Sequence, residues 1–111
     1  MNGKAVFKHA VTRMPEVTLE ALEANNYTVD DVDLFVFHQA NLRINAVAAK
    51  ALGAPDDKVF NTIQRFGNTT AATIPIGLDE AVKAGRLEPG MLVASAAFGS
   101  GFTWASMLVR W

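Results

Sequence analysis

Residues 33–44, Asp-Leu-Phe-Val-Phe-His-Gln-Ala-Asn-Leu-Arg-Ile, decide the fold. Asp33-Leu34-Phe35-Val36-Phe37 is short, apolar and rich in aromatic and branched side chains, which predicts a compact strand. His38 stands where that strand stops. Asn41 follows as a helix cap, because its short side chain can accept from the free N–H groups of a first helical turn. The helix so opened is predicted to run to Leu52, with Gly53 and then Pro55 closing it.

Working outward, residues 4–26 carry Val6, Phe7, Ala10, Val11, Met14, Val17, Leu19, Ala21 and Leu22 at helical spacing. Pro15 cannot donate to the preceding turn, so it is expected to kink this helix or to begin a second one. Asn25-Asn26 ends it, and Thr28 to Asp31 forms a short acidic turn. Downstream, Val59 to Ile63 predicts a short strand and Phe66 to Thr70 a turn. A helix then runs to about Lys83, with Pro75 tolerated near its start and Gly85 as its stop. Glu88-Pro89-Gly90 turns into a strand over Met91 to Ala97. Gly99-Ser100-Gly101 is a tight turn into a last strand, Phe102 to Trp111. The order is that of an α/β protein: a mainly parallel sheet with helices and a final antiparallel strand pair. Residues 1–111 read as one domain or part of one, without repeats, low-complexity stretches or linkers.

Half of the 111 residues are hydrophobic and the mean hydropathy is +0.17. A chain of this size buries a limited share of its surface, so the excess implies either a rich core or a large interface. That interface would be with another chain or with a further portion of the same one. No apolar run approaches the ~20 residues that cross a bilayer. A net charge of −1 and a pI near 6.1 supply no bulk field for nucleic acid. No cationic tract precedes an apolar segment, and there are no cysteines. Disulfides, thiolate metal sites and a cysteine nucleophile within these residues are therefore excluded. The expected location is the cytoplasm, with no metal and no cofactor.

Three stretches could carry chemistry. His38 lies at the end of a strand in an α/β pattern, where sites form, although a His there can equally be satisfied by backbone groups. Gly67-Asn68-Thr69-Thr70 offers an uncharged amide, Asn68, able to hold a carbonyl oxygen as it becomes an enolate; the plain alternative is a turn and helix cap. Phe98-Gly99-Ser100-Gly101-Phe102 lets backbone N–H groups approach a ligand, as an oxyanion hole requires, or is simply a β-turn. Arg43 and Lys50 fall on one face of the predicted helix, with Lys8 on the first helix; they form either a cationic patch for an acidic partner or solvated surface charge.

Taken together, His38-Gln39-Ala40-Asn41-Leu42-Arg43-Ile44, the FGNTTAAT of residues 66–73 and the FGSGFTWAS of residues 98–106 resemble, in order and spacing, the C-terminal signature of ketoacyl-acyl carrier protein synthase III. The likeness runs the length of the chain, from Val6-Phe7-Lys8 through Leu78-Asp79-Glu80-Ala81 to Val109-Arg110. It implies a thiolase-like layered fold of two similar halves and a Cys-His-Asn triad, of which His38 and Asn68 match two members. The Cys belongs to the N-terminal portion of the family's longer chain, so these residues alone are expected to be inactive. The resemblance further implies an acyltransferase that joins an acyl group from acyl-CoA to malonyl-acyl carrier protein by decarboxylative condensation, initiating fatty-acid synthesis. Coenzyme A enters as a thioester substrate, acyl carrier protein and the N-terminal portion are partners, and the full-length enzyme is a homodimer.

By the same resemblance Gly3, Phe7, Ala40 and Asn41 match positions lining the pantetheine tunnel, and Lys8, Arg43 and Lys50 match the surface that receives the acidic carrier. Gly99, Ser100 and Gly101 match the oxyanion loop. That loop departs from the family's usual Gly-Gly-Gly-Phe-Thr-Trp-Gly, since Ser100 and Ala105 replace glycines. A backbone donor survives such a change, while the added side chain can narrow the pocket. The competing reading is a non-catalytic module that binds the carrier or pairs with a Cys-bearing partner.

Overall fold

The computed structural model describes residues 3–38, 41–68, 70–99 and 103–111. Helix α1 spans Gly3–Ala24 and buries Ala10, Met14, Thr18 and Leu22 along one stripe. Pro15 lies inside it and does not begin a second helix. The buried stripe continues on both sides of the proline, so packing onto the sheet outweighs the lost N–H. The Thr18 hydroxyl donates to the Met14 carbonyl at 2.6 Å, which gives this interior hydroxyl a partner. Asn26 ends the helix with a φ of 62°, and the Tyr27 N–H returns to the Leu22 carbonyl at 2.9 Å.

Strand β1, Leu34–Phe35, pairs parallel to β2, Leu92–Gly99, with Leu34 opposite Val93. The ladder reaches beyond the strand proper. The N–H groups of Asp33, Val36 and His38 donate to the carbonyls of Leu92, Ala94 and Ala96 at 2.9, 3.0 and 2.9 Å. β2 runs antiparallel to β3, Thr103–Arg110, and the order is β1-β2-β3. On the other flank of β1, Phe35 bridges Val59 in parallel and accepts the Phe60 N–H at 3.0 Å.

The strand expected over Val59 to Ile63 thus shrinks to that one bridge. Thr62 turns into the helical region, and its carbonyl accepts from Arg65 and Phe66. Ile63–Phe66 is therefore a short helix, α3, rather than strand and turn. Helix α2 spans Leu42–Leu52, capped by Asn41 and closed by Gly53 at a φ of 74°. Helix α4 spans Thr73–Lys83.

The pleat divides the core. Phe35 and Phe37 join Ala94, Ala96 and Phe98 beneath Ala10 and Met14 of α1 and Ile44, Ala48 and Leu52 of α2. Leu34, Val36 and Val93 face Ala81 of α4 on the opposite side. A strand covered on both faces explains why its sequence is apolar without alternation. At the margin of the sheet the coverage fails: Trp104 and Met107 on β3, and Trp111 beyond it, stay about two-fifths exposed.

Helix α4 approaches β1 closely. A Cβ on Gly77 would lie 2.7 Å from Cγ1 of Val36, itself fully buried. Gly77→Ala is accordingly expected to destabilise the protein by about 1–3 kcal/mol, as an overpacked contact does. Urea unfolding of wild type and variant reads the difference. A change within about 0.5 kcal/mol, as at a surface site, would contradict the close approach.

Candidate functional site

The site begins with strand direction. β1 and β2 run parallel, and the Val59–Phe60 segment is parallel to β1 as well. Their carboxyl ends therefore lie along one edge of the sheet, where ligand crevices form in open α/β sheets. β1 leads to His38, β2 ends at Gly99, and the bridging segment leads through α3 to Gly67 and Asn68. The parallel pairing thus sets His38 and Gly99 at the carboxyl ends of adjacent segments, and Asn68 follows the bridging segment through α3.

His38 is held at its backbone by the N–H bond to Ala96. Its ring is partly buried, and that burial pushes its pKa below the ordinary 6.5. Burial thus favours the neutral form of the imidazole, in which one nitrogen can donate and the other accept. Asn68 is exposed and follows Gly67, which adopts φ 66° and ψ −158°, a region essentially confined to glycine. A Cβ at Gly67 would meet nothing within 4 Å, so the requirement is set by backbone conformation and not by space. Gly67 fixes the direction in which the chain leaves α3 towards Asn68. The sequence marked a break in regular structure at Gly67, but not its dependence on this one dihedral.

Gly99 is the last residue of β2, opposite Thr103. Just before it, Phe98 stacks on Trp104 with centroids 6.0 Å apart and planes 7° from parallel, which ties the two strands together at the turn. Ser100, Gly101 and Ala40 lie outside the described residues.

Among the tunnel and carrier candidates, Phe7 of α1 and Arg43 of α2 meet across the two helices. Gly3 opens α1, and Phe7 is partly buried against the core. The Arg43 guanidinium sits 4.7 Å from the Phe7 ring centroid, a cation–π contact between α2 and α1. Lys8, next to Phe7, is exposed, as are Arg43 and Lys50, the latter in the last turn of α2. Asn41 caps α2, its side-chain oxygen accepting the Arg43 N–H at 2.8 Å. Helical spacing put Arg43 beside Lys50 in sequence terms, but no local pattern could have revealed its stacking on Phe7 from another helix. Among the described residues no cluster of His, Asp and Glu is suited to a metal ion.

The sequence pattern for the C-terminal region of 3-oxoacyl-acyl-carrier-protein (ACP) synthase III matches residues 22–111. The chain is 53% identical over 110 residues to the beta-ketoacyl-acyl-carrier-protein synthase III of Escherichia coli K12, covering 99% of the chain and 35% of that protein. The crystal structure of the corresponding synthase from Thermus thermophilus superposes with a TM-score of 0.97 at 49% identity, covering all of this chain and 35% of that one. The enzyme from Aquifex aeolicus gives 0.98 at 45% identity, with 36% of its chain covered. The chain spans about a third of the length of these relatives.

The burial of His38 has a pH consequence. Its folded pKa lies below the unfolded value, so between the two the unfolded chain binds more protons and stability falls as pH falls. The loss begins near the unfolded pKa of ~6.5 and levels off below the folded one. An NMR titration of the His38 ring should give a midpoint below 6.5. His38→Gln should flatten the corresponding part of the stability–pH curve. A midpoint at or above 6.5 would contradict the burial.

Proposed function

The chain belongs to the family of the C-terminal region of 3-oxoacyl-ACP synthase III, and on that premise we propose that it forms the malonyl-activating part of a decarboxylative condensing enzyme that initiates fatty-acid synthesis. The observation that carries the reading is the position of His38, a partly buried imidazole whose pKa that burial lowers, at a strand end whose neighbouring segment leads through α3 to Asn68. Two uncharged donors at one edge suit an oxygen that gains charge during reaction.

In the proposed cycle an acyl group passes from coenzyme A to a Cys thiolate outside these residues, which contain no cysteine. Malonyl-ACP then brings its thioester oxygen to His38 and Asn68. The bond from the α-carbon to the carboxylate breaks, carbon dioxide leaves, and the electron pair becomes an enolate held by both hydrogen bonds. The α-carbon attacks the acyl-Cys carbonyl, whose oxyanion is received by N–H groups of the loop over Gly99, Ser100 and Gly101. The thiolate departs, leaving 3-oxoacyl-ACP. A neutral imidazole suits this step because it donates without giving the departing carboxylate a cationic partner.

Further roles are proposed from the family resemblance and supported by position. Gly3, Phe7, Ala40 and Asn41 line the path of the pantetheine arm. Lys8, Arg43 and Lys50 receive the acidic carrier, with Arg43 held in place by Phe7. The exposed side chains of Trp104, Met107 and Trp111 support burial of β3 by further protein, in a cytoplasmic homodimer. Among the described residues no helix is long and apolar enough to cross a membrane.

The test is made in the full-length enzyme that contains this chain. His38→Ala and Asn68→Ala should each lower malonyl decarboxylation by ~10²–10³, the usual effect of losing one preorganised donor. Acyl transfer to the Cys should remain largely intact. The two losses should combine to less than their product, because both donors serve one oxygen. If acylation stopped and decarboxylation survived, the division of roles would be wrong. Two silent substitutions would return His38 and Asn68 to a strand-end His and a helix-capping turn without a role in decarboxylation.

A further inference from the structure

Asn45 is fully buried in the first turns of α2, an uncharged polar side chain on a helix whose other buried residues, Ile44, Ala48, Ala49 and Leu52, are apolar. Its Nδ2 donates to the Oδ1 of Asn61 at 3.1 Å, sixteen positions along the chain. Its own Oδ1 is buried and, among the described residues, accepts no hydrogen bond. A half-satisfied buried amide is less favourable than two apolar side chains of the same shape. Stability therefore does not account for the pair.

Its location does. Asn45 donates its backbone N–H to the carbonyl of Asn41 at 3.2 Å, and Asn41 caps the helix that follows His38. Asn61 follows Phe60, which is hydrogen-bonded to Phe35, and precedes Thr62, the cap of α3. From Thr62 the backbone is bonded continuously: Phe66 and Gly67 donate to the carbonyls of Thr62 and Ile63 at 2.9 Å each. Gly67 then leads to Asn68. One amide–amide bond thus spans the two segments that leave the sheet edge towards His38 and Asn68. A directional hydrogen bond fixes relative position in a way that interchangeable apolar contacts do not.

We infer that the Asn45–Asn61 hydrogen bond is a positioning device, setting the turn after His38 against the loop that carries Asn68 so that both side chains reach one oxygen. Both residues act through others and touch no reacting atom. The inference rests on the reading of His38 and Asn68 as donors to the malonyl thioester oxygen.

The test compares Asn45→Leu, Asn61→Leu and the double variant in the full-length enzyme. Each single leucine leaves one amide stranded and should lower the thermal midpoint, whereas the double variant should recover it, because both partners have become apolar. The double variant should nonetheless lose ~10- to 10²-fold in kcat for condensation, the scale of a small misplacement of catalytic groups. Its KM for malonyl-ACP and its acylation of the Cys should stay at wild-type values. A purely structural pair would show recovered stability together with recovered kcat, which overturns the inference. A double variant less stable than either single one overturns it too, since the pair would then be holding the fold. Asn61→Ala, at a partly buried position, provides the same kcat-against-KM reading should a leucine variant not fold; wild-type kcat there also refutes positioning. His38→Ala is the control. If it keeps decarboxylation, the underlying reading fails; if it loses decarboxylation while the double leucine variant keeps full kcat, only the positioning role fails.

Discussion

The hydrogen bond from the His38 N–H to the Ala96 carbonyl is, among the described residues, the last rung of the parallel ladder between the 33–38 segment and β2, and the remaining structure is arranged around that ladder. Its first rung is doubled, because the Asp33 carboxylate also accepts the Leu92 N–H at 2.8 Å. Between these ends Phe35 and Phe37 turn to one helical layer, and Leu34 and Val36 to the other. A parallel pair cannot be closed by a hairpin and needs a crossover, so α2 and α4 follow from the pairing as much as from their own sequences. The polypeptide direction then decides which side chains leave the sheet at which edge.

That constraint gives the site its character. The proposed site draws on the His38 imidazole, whose pKa burial lowers, at the end of the 33–38 segment, with Asn68 after α3 and Gly99 at the end of β2 as its proposed companions. Such a set supplies directed donors without net charge, which suits stabilising an oxyanion more than binding a preformed ion. The 111 residues contain no cysteine, and the chain spans about a third of the length of its relatives. The cationic residues stand apart on α1 and α2, where the Phe7 ring restrains Arg43.

Local chemistry made much of this legible. Asn25-Asn26, Asn41 with Gly53, and Glu88-Pro89-Gly90 mark boundaries whose conformations depend on residues close in sequence. Errors arose where distant contacts decide. Of the two outcomes open at Pro15, a kink or a second helix, the second helix does not form, and buried residues on both sides of it pack against the sheet. Val59 has the right side chain for a strand but only one rung of partner, and Thr62 diverts the chain into α3. His38 and Asn68 were visible as candidates through their motifs. The Asn45–Asn61 bond was not, because an Asn inside an amphipathic helix reads as polar surface until its burial is known.

The central claim is geometric: His38 and Asn68 converge on a single oxygen at the edge created by the ladder. A crystal structure of the full-length enzyme with a non-hydrolysable malonyl thioester analogue tests it most directly. The account predicts one ring nitrogen of His38 and Nδ2 of Asn68 both within about 2.7–3.1 Å of the thioester carbonyl oxygen. An oxygen bonded to only one of them, or lying at another edge of the sheet, would contradict it.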